Sequence, residues 1–224
     1  MTTVVIESDE LMEGLIIPAW VTDRDSFCRW AHSEEFPETG RICYLNGEVW
    51  VNMSKEQVFS DVLAKTRITA VLSELVEANH LGLFLGDGVF LSNAAADFAT
   101  NPDAVFVSTA GLQDRVRLLE GREGGYVELE GSPDMVLEVV SRSSVRKDTQ
   151  ILRRAYWEAG IREYWLVDAR PQPLHFDILR YTPKGYRATP RKDGWIKSAL
   201  FGRSFRLTSQ PGPLGHPEFS LALR

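Results

Sequence analysis

An acidic residue interrupts one of the most apolar stretches of the chain. Residues 135–140 read MVLEVV, so Glu138 has apolar neighbours on both sides. A strand that is apolar at nearly every position is typical of burial on both faces of a sheet. A carboxylate in such a strand costs several kcal/mol unless it is paired or bound to a metal ion. Glu138 is therefore a metal ligand at a functional site, a partner for an arginine, or a residue of an edge strand.

Two Pro-Asp pairs each lead into an apolar segment. NPDAVFVS occupies positions 101–108, and SPDMVLEVVSRSS occupies positions 132–144. Because the residue before a proline favours extended backbone, each pair predicts the start of a strand. Asp103 then begins one strand and Glu138 lies within another. If these strands are neighbours, their carboxylates supply the oxygen ligands that Mg²⁺ and Mn²⁺ prefer.

The remaining patterns predict one mixed domain. RICYLNGEVWVNM at 41–53 carries Asn46-Gly47 between two β-prone runs, which predicts a tight hairpin. Ser54 and Gln57 form a capping-box pattern, and the apolar spacing that follows predicts a long helix over 55–79. A second helix is predicted from Ser143 or Ser144 to about Gly160. Further strands are predicted at 83–85, 89–91, 104–108, 126–130, 135–140, 163–168, 174–181, 186–188 and 195–207. This order predicts an α/β (α+β) fold with a central mixed sheet flanked by helices.

No Gly, Pro or Ser-rich linker divides the middle of the chain, so residues 1–224 are expected to form a single domain. Its core spans 40–207, with an N-terminal extension over 1–39 and a tail over 208–224 that docks its last residues on the surface. The N-terminus is acidic where a signal peptide would be basic, and no apolar run approaches the roughly 18–20 residues of a membrane span. We therefore expect a cytoplasmic protein with no membrane partner.

The formal net charge of −6 conceals an uneven distribution. Residues 1–140 contain 9 Lys and Arg against 24 Asp and Glu, whereas residues 141–206 contain 15 against 6. Such asymmetry is typical of a polyanion partner or of an oligomer in which unlike surfaces meet, although scattered solvated charges have the same composition. The acidic total alone does not exclude nucleic acid.

Several kinds of site are disfavoured by the residues present. The four histidines have no zinc spacing, and Cys28 and Cys43 fit a pair of buried apolar side chains better than a redox or zinc site. There is no G-x-S-x-G turn for a serine nucleophile and no glycine-rich phosphate loop. Metal-assisted hydrolysis through carboxylates remains the favoured chemistry.

Taken in order, these segments resemble the bacterial putative restriction endonucleases of the Uma-two type, within the PD-(D/E)xK nuclease superfamily. The resemblance covers about residues 40–207 and includes the two Pro-Asp segments together with NGE at 46–48, KDT and AYWEAGI in the second helix, and REYWLVDARP at 162–171. It implies a restriction-endonuclease-like core and a Mg²⁺-dependent, or Mn²⁺-dependent, endonuclease that hydrolyses DNA phosphodiester bonds.

The resemblance also implies roles for particular residues. The family's aspartate and glutamate correspond to Asp103 and Glu138, as catalytic residues and metal ligands, and Glu48 corresponds to an upstream acidic residue that joins them. The superfamily lysine is absent, because its two usual places hold Val140 and Leu152. The nearby candidates to replace it are Lys147 and Arg153 or Arg154, and Lys147 is the one assigned as catalytic. Asp61 stands where the family has a helix-borne histidine.

The missing lysine leaves other functions open. A catalytically degenerate nuclease fold could bind nucleic acid or a protein without cutting it. An assembly module could instead pair its acidic and basic regions between subunits. A homodimer is expected for an enzyme that cuts both strands, because two sites then pair about a twofold axis.

Overall fold

The computed structural model describes residues 2–6, 15–122, 124–171, 173–213 and 215–224. Its helices are α1 (Arg24–Ala31), α2 (Ala64–Ala78), α3 (Thr109–Asp114) and α4 (Leu152–Glu158), and the π-helical turns Val58–Leu63 and Lys147–Ile151 lead into α2 and α4. The strands are β1 (Thr3–Ile6), β2 (Arg41–Leu45), β3 (Glu48–Asn52), β4 (Gly82–Leu85), β5 (Phe90–Asn93), β6 (Phe98–Thr100), β7 (Ala104–Ser108), β8 (Val116–Glu120), β9 (Tyr126–Gly131), β10 (Met135–Val139), β11 (Glu163–Asp168), β12 (His175–Arg180), β13 (Arg187–Ala188), β14 (Arg191–Lys192), β15 (Trp195–Lys197), β16 (Ser204–Pro211) and β17 (Pro217–Leu223).

Within the described residues the strands form three sheets. The central sheet has the order β13-β12-β11-β10-β7-β4, with β10 parallel to β11 and antiparallel to β7. The N-terminal sheet has the order β1-β3-β2-β6-β5-β9-β8, and the C-terminal sheet has the order β14-β15-β16-β17. This mixed architecture confirms the predicted α+β class with a central sheet flanked by helices.

Both faces of the central sheet are covered. On one face α2 and the C-terminal sheet enclose an apolar core with Phe106, Leu137 and Trp165. On the other face α4 and part of the N-terminal sheet pack against Val105, Val136 and neighbouring residues. Burial on both faces explains why β7 and β10 are apolar at almost every position. No helix of the described residues has the length and apolar character needed to cross a membrane.

The predicted hairpin is confirmed. β2 and β3 pair in antiparallel register from Arg41 opposite Asn52 to Leu45 opposite Glu48. The turn residues Asn46 and Gly47 have φ values of 50° and 85°. Two successive positive φ angles match the right-handed twist of the strands, and Asn-Gly adopts them at low cost.

The predicted capping box at the start of the long helix is wrong. Gln57 has extended backbone with ψ of 123°, and it caps the following turn without a side-chain hydrogen bond. The Asp61 side chain instead accepts a hydrogen bond from the Gln57 backbone N–H at 3.0 Å. The Asp61 carboxylate thus satisfies the N–H donor that a capping box would have satisfied. Residues 54–57 therefore lie outside the helix, near the central sheet.

A buried carboxylate attaches the C-terminal sheet to the central one. Glu163, at the start of β11, is 2% exposed. Its oxygens accept hydrogen bonds from Trp165 Nε1 at 2.9 Å, Ser198 Oγ at 2.7 Å and the Ala199 N–H at 2.7 Å. The tail that was expected to lie along the surface forms β17, which pairs with β16 along its length and buries Phe219 and Leu221.

Glu163→Ala should lower the free energy of unfolding by about 3 kcal/mol, because it leaves several buried donors without an acceptor. Urea unfolding followed by circular dichroism measures this value. Glu158→Ala is the control, since that exposed side chain pairs with exposed Arg154 and such a pair contributes about 0.5 kcal/mol or less. Equal losses in the two variants would contradict the anchoring role.

Candidate functional site

The carboxylate of Asp103 connects the central sheet to a group of charged side chains. Asp103 lies immediately before β7 and is 1% exposed. Its Oδ2 accepts a hydrogen bond from the Val139 N–H of β10 at 2.6 Å. Its Oδ1 lies 3.1 Å from Arg41 Nη1 and 3.4 Å from Lys65 Nζ. One oxygen thus continues the strand pairing and the other faces the charged group.

Asp103, Glu56 and Asp87 form the outer acidic group. Among the described residues, these three each offer a carboxylate oxygen within 4.8 Å of the others. Glu56 comes from the extended segment before α2, and Asp87 comes from the loop between β4 and β5. A groove of about 520 Å³ runs past this group along α2. The outer acidic group is therefore open to a ligand from solution.

Two cations partly balance the outer acidic group. Lys65 Nζ lies 2.5 Å from a Glu56 oxygen, and Arg41 pairs with both Glu56 and Asp103. Burial alone would lower the pKa of Lys65, but the Asp103 and Glu56 carboxylates outweigh it and raise the pKa above its ordinary value. The lysine therefore stays protonated. Three carboxylates against two cations leave a negative site built from oxygen donors, which fits a hard divalent cation.

A second, sealed cluster lies behind Asp103. Glu138 is 1% exposed, and its Oε1 accepts a hydrogen bond from Tyr156 Oη at 2.7 Å. Lys147 Nζ donates to Asp148 Oδ1 at 2.7 Å, and Ser144 Oγ donates to the other oxygen of Asp148 at 2.5 Å. All five residues are buried, and the open groove is lined by other residues.

Burial and neighbouring charges both shift pKa values in this sealed cluster. It raises the pKa of the Glu138 carboxyl well above its ordinary value, although the nearby Lys147 ammonium opposes the shift. Burial alone would lower the pKa of Lys147, but the pKa is raised, and the charge of Asp148 is the largest cause of that increase. Lys147 is therefore held as a cation. Glu138 in this arrangement favours the neutral acid.

Two of the four predicted site residues, Asp103 and Glu138, lie at adjacent positions on neighbouring strands. Leu137 pairs with Ala104, so Glu138 and Asp103 follow side by side in β10 and at the start of β7. Lys147 lies close enough to Glu138 to affect its pKa. Glu48 lies at one end of β3, where it pairs with Leu45 and Thr3. Asn52 lies at the other end of β3 and pairs with Arg41, which contacts Asp103. At about 3.3 Å per residue, β3 holds Glu48 away from the other three.

Both places where a lysine was expected are filled by core residues. Val140 is 1% exposed and Leu152 is 0% exposed. Lys65, Glu56 and Asp87 were not identified from the sequence. Lys65 did carry a signal, because it precedes Ile68 by three residues and Leu72 by seven and so falls on the apolar face of α2. A lysine on the apolar face of a helix needs charged or polar partners, as Glu138 does, because burying an unpaired charge is unfavourable.

Comparison with known proteins gives a match to one family model and matches to solved structures. A family model described as "Uma2: Putative restriction endonuclease" matches residues 24–209. Among solved structures, a putative nuclease belonging to DUF820 from Anabaena variabilis matches with a TM-score of 0.58 and 16% identity, over 80% of this chain and 90% of that one. No curated protein matches the chain. The structural match bears on the fold alone, and it agrees with the fold class that was expected from the sequence.

Glu138→Gln should raise the free energy of unfolding at neutral pH by about 1 kcal/mol or more. In the unfolded chain Glu138 ionises near its ordinary pKa of 4.5, whereas in the folded protein its pKa is raised. The unfolded state therefore loses its proton first, and Glu138 lowers stability as the pH rises above the ordinary value. Glutamine cannot ionise and keeps an acceptor for Tyr156.

Urea unfolding of the wild type and the variant across the acidic and neutral range measures this difference, which should vanish below about pH 4.5. Glu158→Gln is the matched control, because its side chain is 38% exposed and pairs with Arg154. A Glu138→Gln protein that is less stable than the wild type at neutral pH would contradict the neutral, buried state of Glu138.

Proposed function

Because the chain belongs to the Uma2 family of putative restriction endonucleases, whose model matches residues 24–209, we propose that it is a metal-dependent endonuclease that hydrolyses phosphodiester bonds in DNA. The observation that carries this proposal is the position of Asp103. It is fixed by β10 through one oxygen and faces the open acidic group through the other. Two copies that pair their sites about a twofold axis could cut both strands, so the proposal includes a homodimer.

The donors of the outer acidic group fit Mg²⁺ or Mn²⁺. Asp103, Glu56 and Asp87 would hold the ion through carboxylate oxygens. When bound, a divalent ion activates a water molecule and stabilises charge on the scissile phosphate. Glu138 lies beside Asp103 on the neighbouring strand. The charge of a bound ion would favour the ionised form of Glu138, which would then supply a further carboxylate from the sealed side. The hydrogen bond from Tyr156 holds the Glu138 carboxyl in place.

Lys65 is the residue that we propose in place of the missing superfamily lysine. Its ammonium lies 3.4 Å from Asp103 and lines the open groove, whereas Lys147 is paired with Asp148 within the sealed cluster. Because Asp103 and Glu56 keep Lys65 protonated, it would stabilise a phosphate oxygen as a charged donor rather than accept a proton. Lys147 would act through the charge that it presents to Glu138.

A second candidate function is nucleic-acid binding without cleavage. Arg41 and Lys65 already pair with the carboxylates that a metal ion would need. Val140 and Leu152 are packed in the core, so neither of the two usual lysine positions contributes to the site. This candidate predicts binding to DNA with a steep dependence on salt and no metal-dependent turnover.

Asp103→Asn should reduce metal-dependent nicking of supercoiled plasmid by about 100-fold or more, because it removes a charged ligand. The assay compares Mg²⁺, Mn²⁺ and EDTA. Asp114→Asn is the matched control, since Asp114 is exposed at the end of α3. Nicking by Asp103→Asn at the wild-type rate would reject the proposed activity. So would a wild type that does not nick DNA with either metal, and that result would favour binding without cleavage.

Glu56→Gln and Glu48→Gln distinguish the two candidate acidic partners of Asp103. Glu56 belongs to the outer acidic group, so its variant should bind Mn²⁺ about tenfold or more weakly. Glu48 lies at the other end of β3, and its variant should bind Mn²⁺ as the wild type does. Electron paramagnetic resonance of free Mn²⁺ measures both affinities without reference to turnover. The reverse order of effects would restore Glu48 as the ligand.

A further inference from the structure

The C-terminal sheet has one apolar face and one polar face. Its apolar face includes Phe205, Leu207, Phe219 and Leu221, which are buried against α2 and the central sheet. Strand alternation places the residues between them on the opposite face. That opposite face carries four cations, namely Lys192 on β14, Lys197 on β15, Arg206 on β16 and Arg224 after β17. We call these four residues, together with Trp195, the cationic face.

The charges of the cationic face are unpaired. All four cations are exposed, and none forms an ion pair with any carboxylate in the part of the chain that the structure describes. Glu218 on β17 lies on the same face of the sheet as the four cations. It is four residues along the strand from Ala222, which pairs with Arg206, and so it lies away from Arg206. Like charges that crowd one face without partners repel each other, so this arrangement is unfavourable in the isolated chain.

Trp195 organises two of these cations. The guanidinium carbon of Arg206 lies 4.7 Å from the centroid of the Trp195 ring, and that of Arg224 lies 4.3 Å from it. Stacking on an aromatic ring restrains a guanidinium group while its N–H edge stays free to donate. That edge suits the paired oxygens of a phosphate group. The cationic face thus presents oriented donors as well as net positive charge.

We propose that the cationic face is a docking surface for the phosphate backbone of nucleic acid. This inference rests on the proposed function, because it names a second contact with the same substrate. The argument is charge complementarity: a chain with a net charge of −6 repels a polyanion as a whole, so binding needs a local surface of unpaired cations. The apolar face of the same sheet packs on α2, which carries Lys65, so the docking surface is distinct from the groove.

Binding of a fluorescently labelled DNA duplex, measured by anisotropy in EDTA over a range of salt concentrations, tests this surface without cleavage. The variant replaces Lys192, Lys197, Arg206 and Arg224 with glutamine. Its affinity should fall by about tenfold or more, and the slope of log affinity against log salt should decrease by about 0.9 for each phosphate that the variant no longer neutralises. Lys192→Gln/Lys197→Gln leaves the stacking of both arginines on Trp195 intact and should show a smaller decrease in affinity.

The matched control replaces with glutamine four exposed cations that form ion pairs, at Arg117, Arg154, Arg170 and Arg191. It changes the net charge by the same amount and should bind within about twofold of the wild type. Equal decreases in affinity for the two fourfold variants would overturn the proposal. So would a wild type that binds no DNA, or one that binds polyglutamate in preference to DNA, which would indicate an acidic protein partner.

Asp103→Asn separates this inference from the proposed activity. Its nicking rate reports on the proposed activity, whereas binding of the duplex in EDTA by the cationic-face variant reports on the docking surface. If the wild type fails to nick DNA in either metal while the cationic-face variant alone binds more weakly, the docking surface stands and the proposed activity fails. If Asp103→Asn abolishes nicking while the cationic-face variant binds normally, the activity stands and the docking surface fails.

Discussion

The two-sided contact of Asp103 is the interaction on which the candidate site depends. The hydrogen bond from the Val139 N–H extends the pairing of β7 with β10 by one position, so the carboxylate has little freedom to turn. Its other oxygen contacts Arg41 from β2 and Lys65 from α2. One buried carboxylate thus joins the central sheet, the hairpin and the long helix. The low dielectric constant of the protein interior strengthens electrostatic interactions. These contacts therefore both orient the outer acidic group and hold it together.

Asp103 and Glu138 are neighbours in adjacent strands, but they lie in different environments. Asp103 has two cationic partners and a backbone donor, whereas Glu138 has a tyrosine hydroxyl and a nearby ammonium that forms no ion pair with it. Burial therefore raises the pKa of Glu138, while Asp103 belongs to an open ionic group. A buried carboxyl group whose pKa is raised is a frequent feature of functional sites. Keeping Glu138 among apolar residues is unfavourable for stability and is consistent with a functional requirement.

Much of the fold could be predicted from local patterns, and the errors have identifiable physical causes. Asn46-Gly47 predicts the hairpin because only a few residues adopt positive φ in both turn positions. The capping-box prediction failed because Asp61 satisfies the Gln57 N–H from within the next turn. The tail was not expected to form β17, since a strand at a sheet edge owes its stability to its partner more than to its own composition. For the site, the apolar surroundings of Glu138 and Lys65 in the sequence were equally informative, although only Glu138 was identified.

The sequence by itself determined where carboxylates interrupt apolar strands and which segments form the central sheet, because strand periodicity and the effect of proline act over a few residues. It thereby placed Asp103 and Glu138 on strands before any contact was known. Only the tertiary structure decided which charges meet Asp103. Glu56 and Asp87 lie in segments outside regular strands, and Lys65 lies on a helix, so their convergence depends on the packing of α2 and two loops against the central sheet. Contacts between residues so far apart in the chain follow from burial of the whole core, which no local pattern encodes.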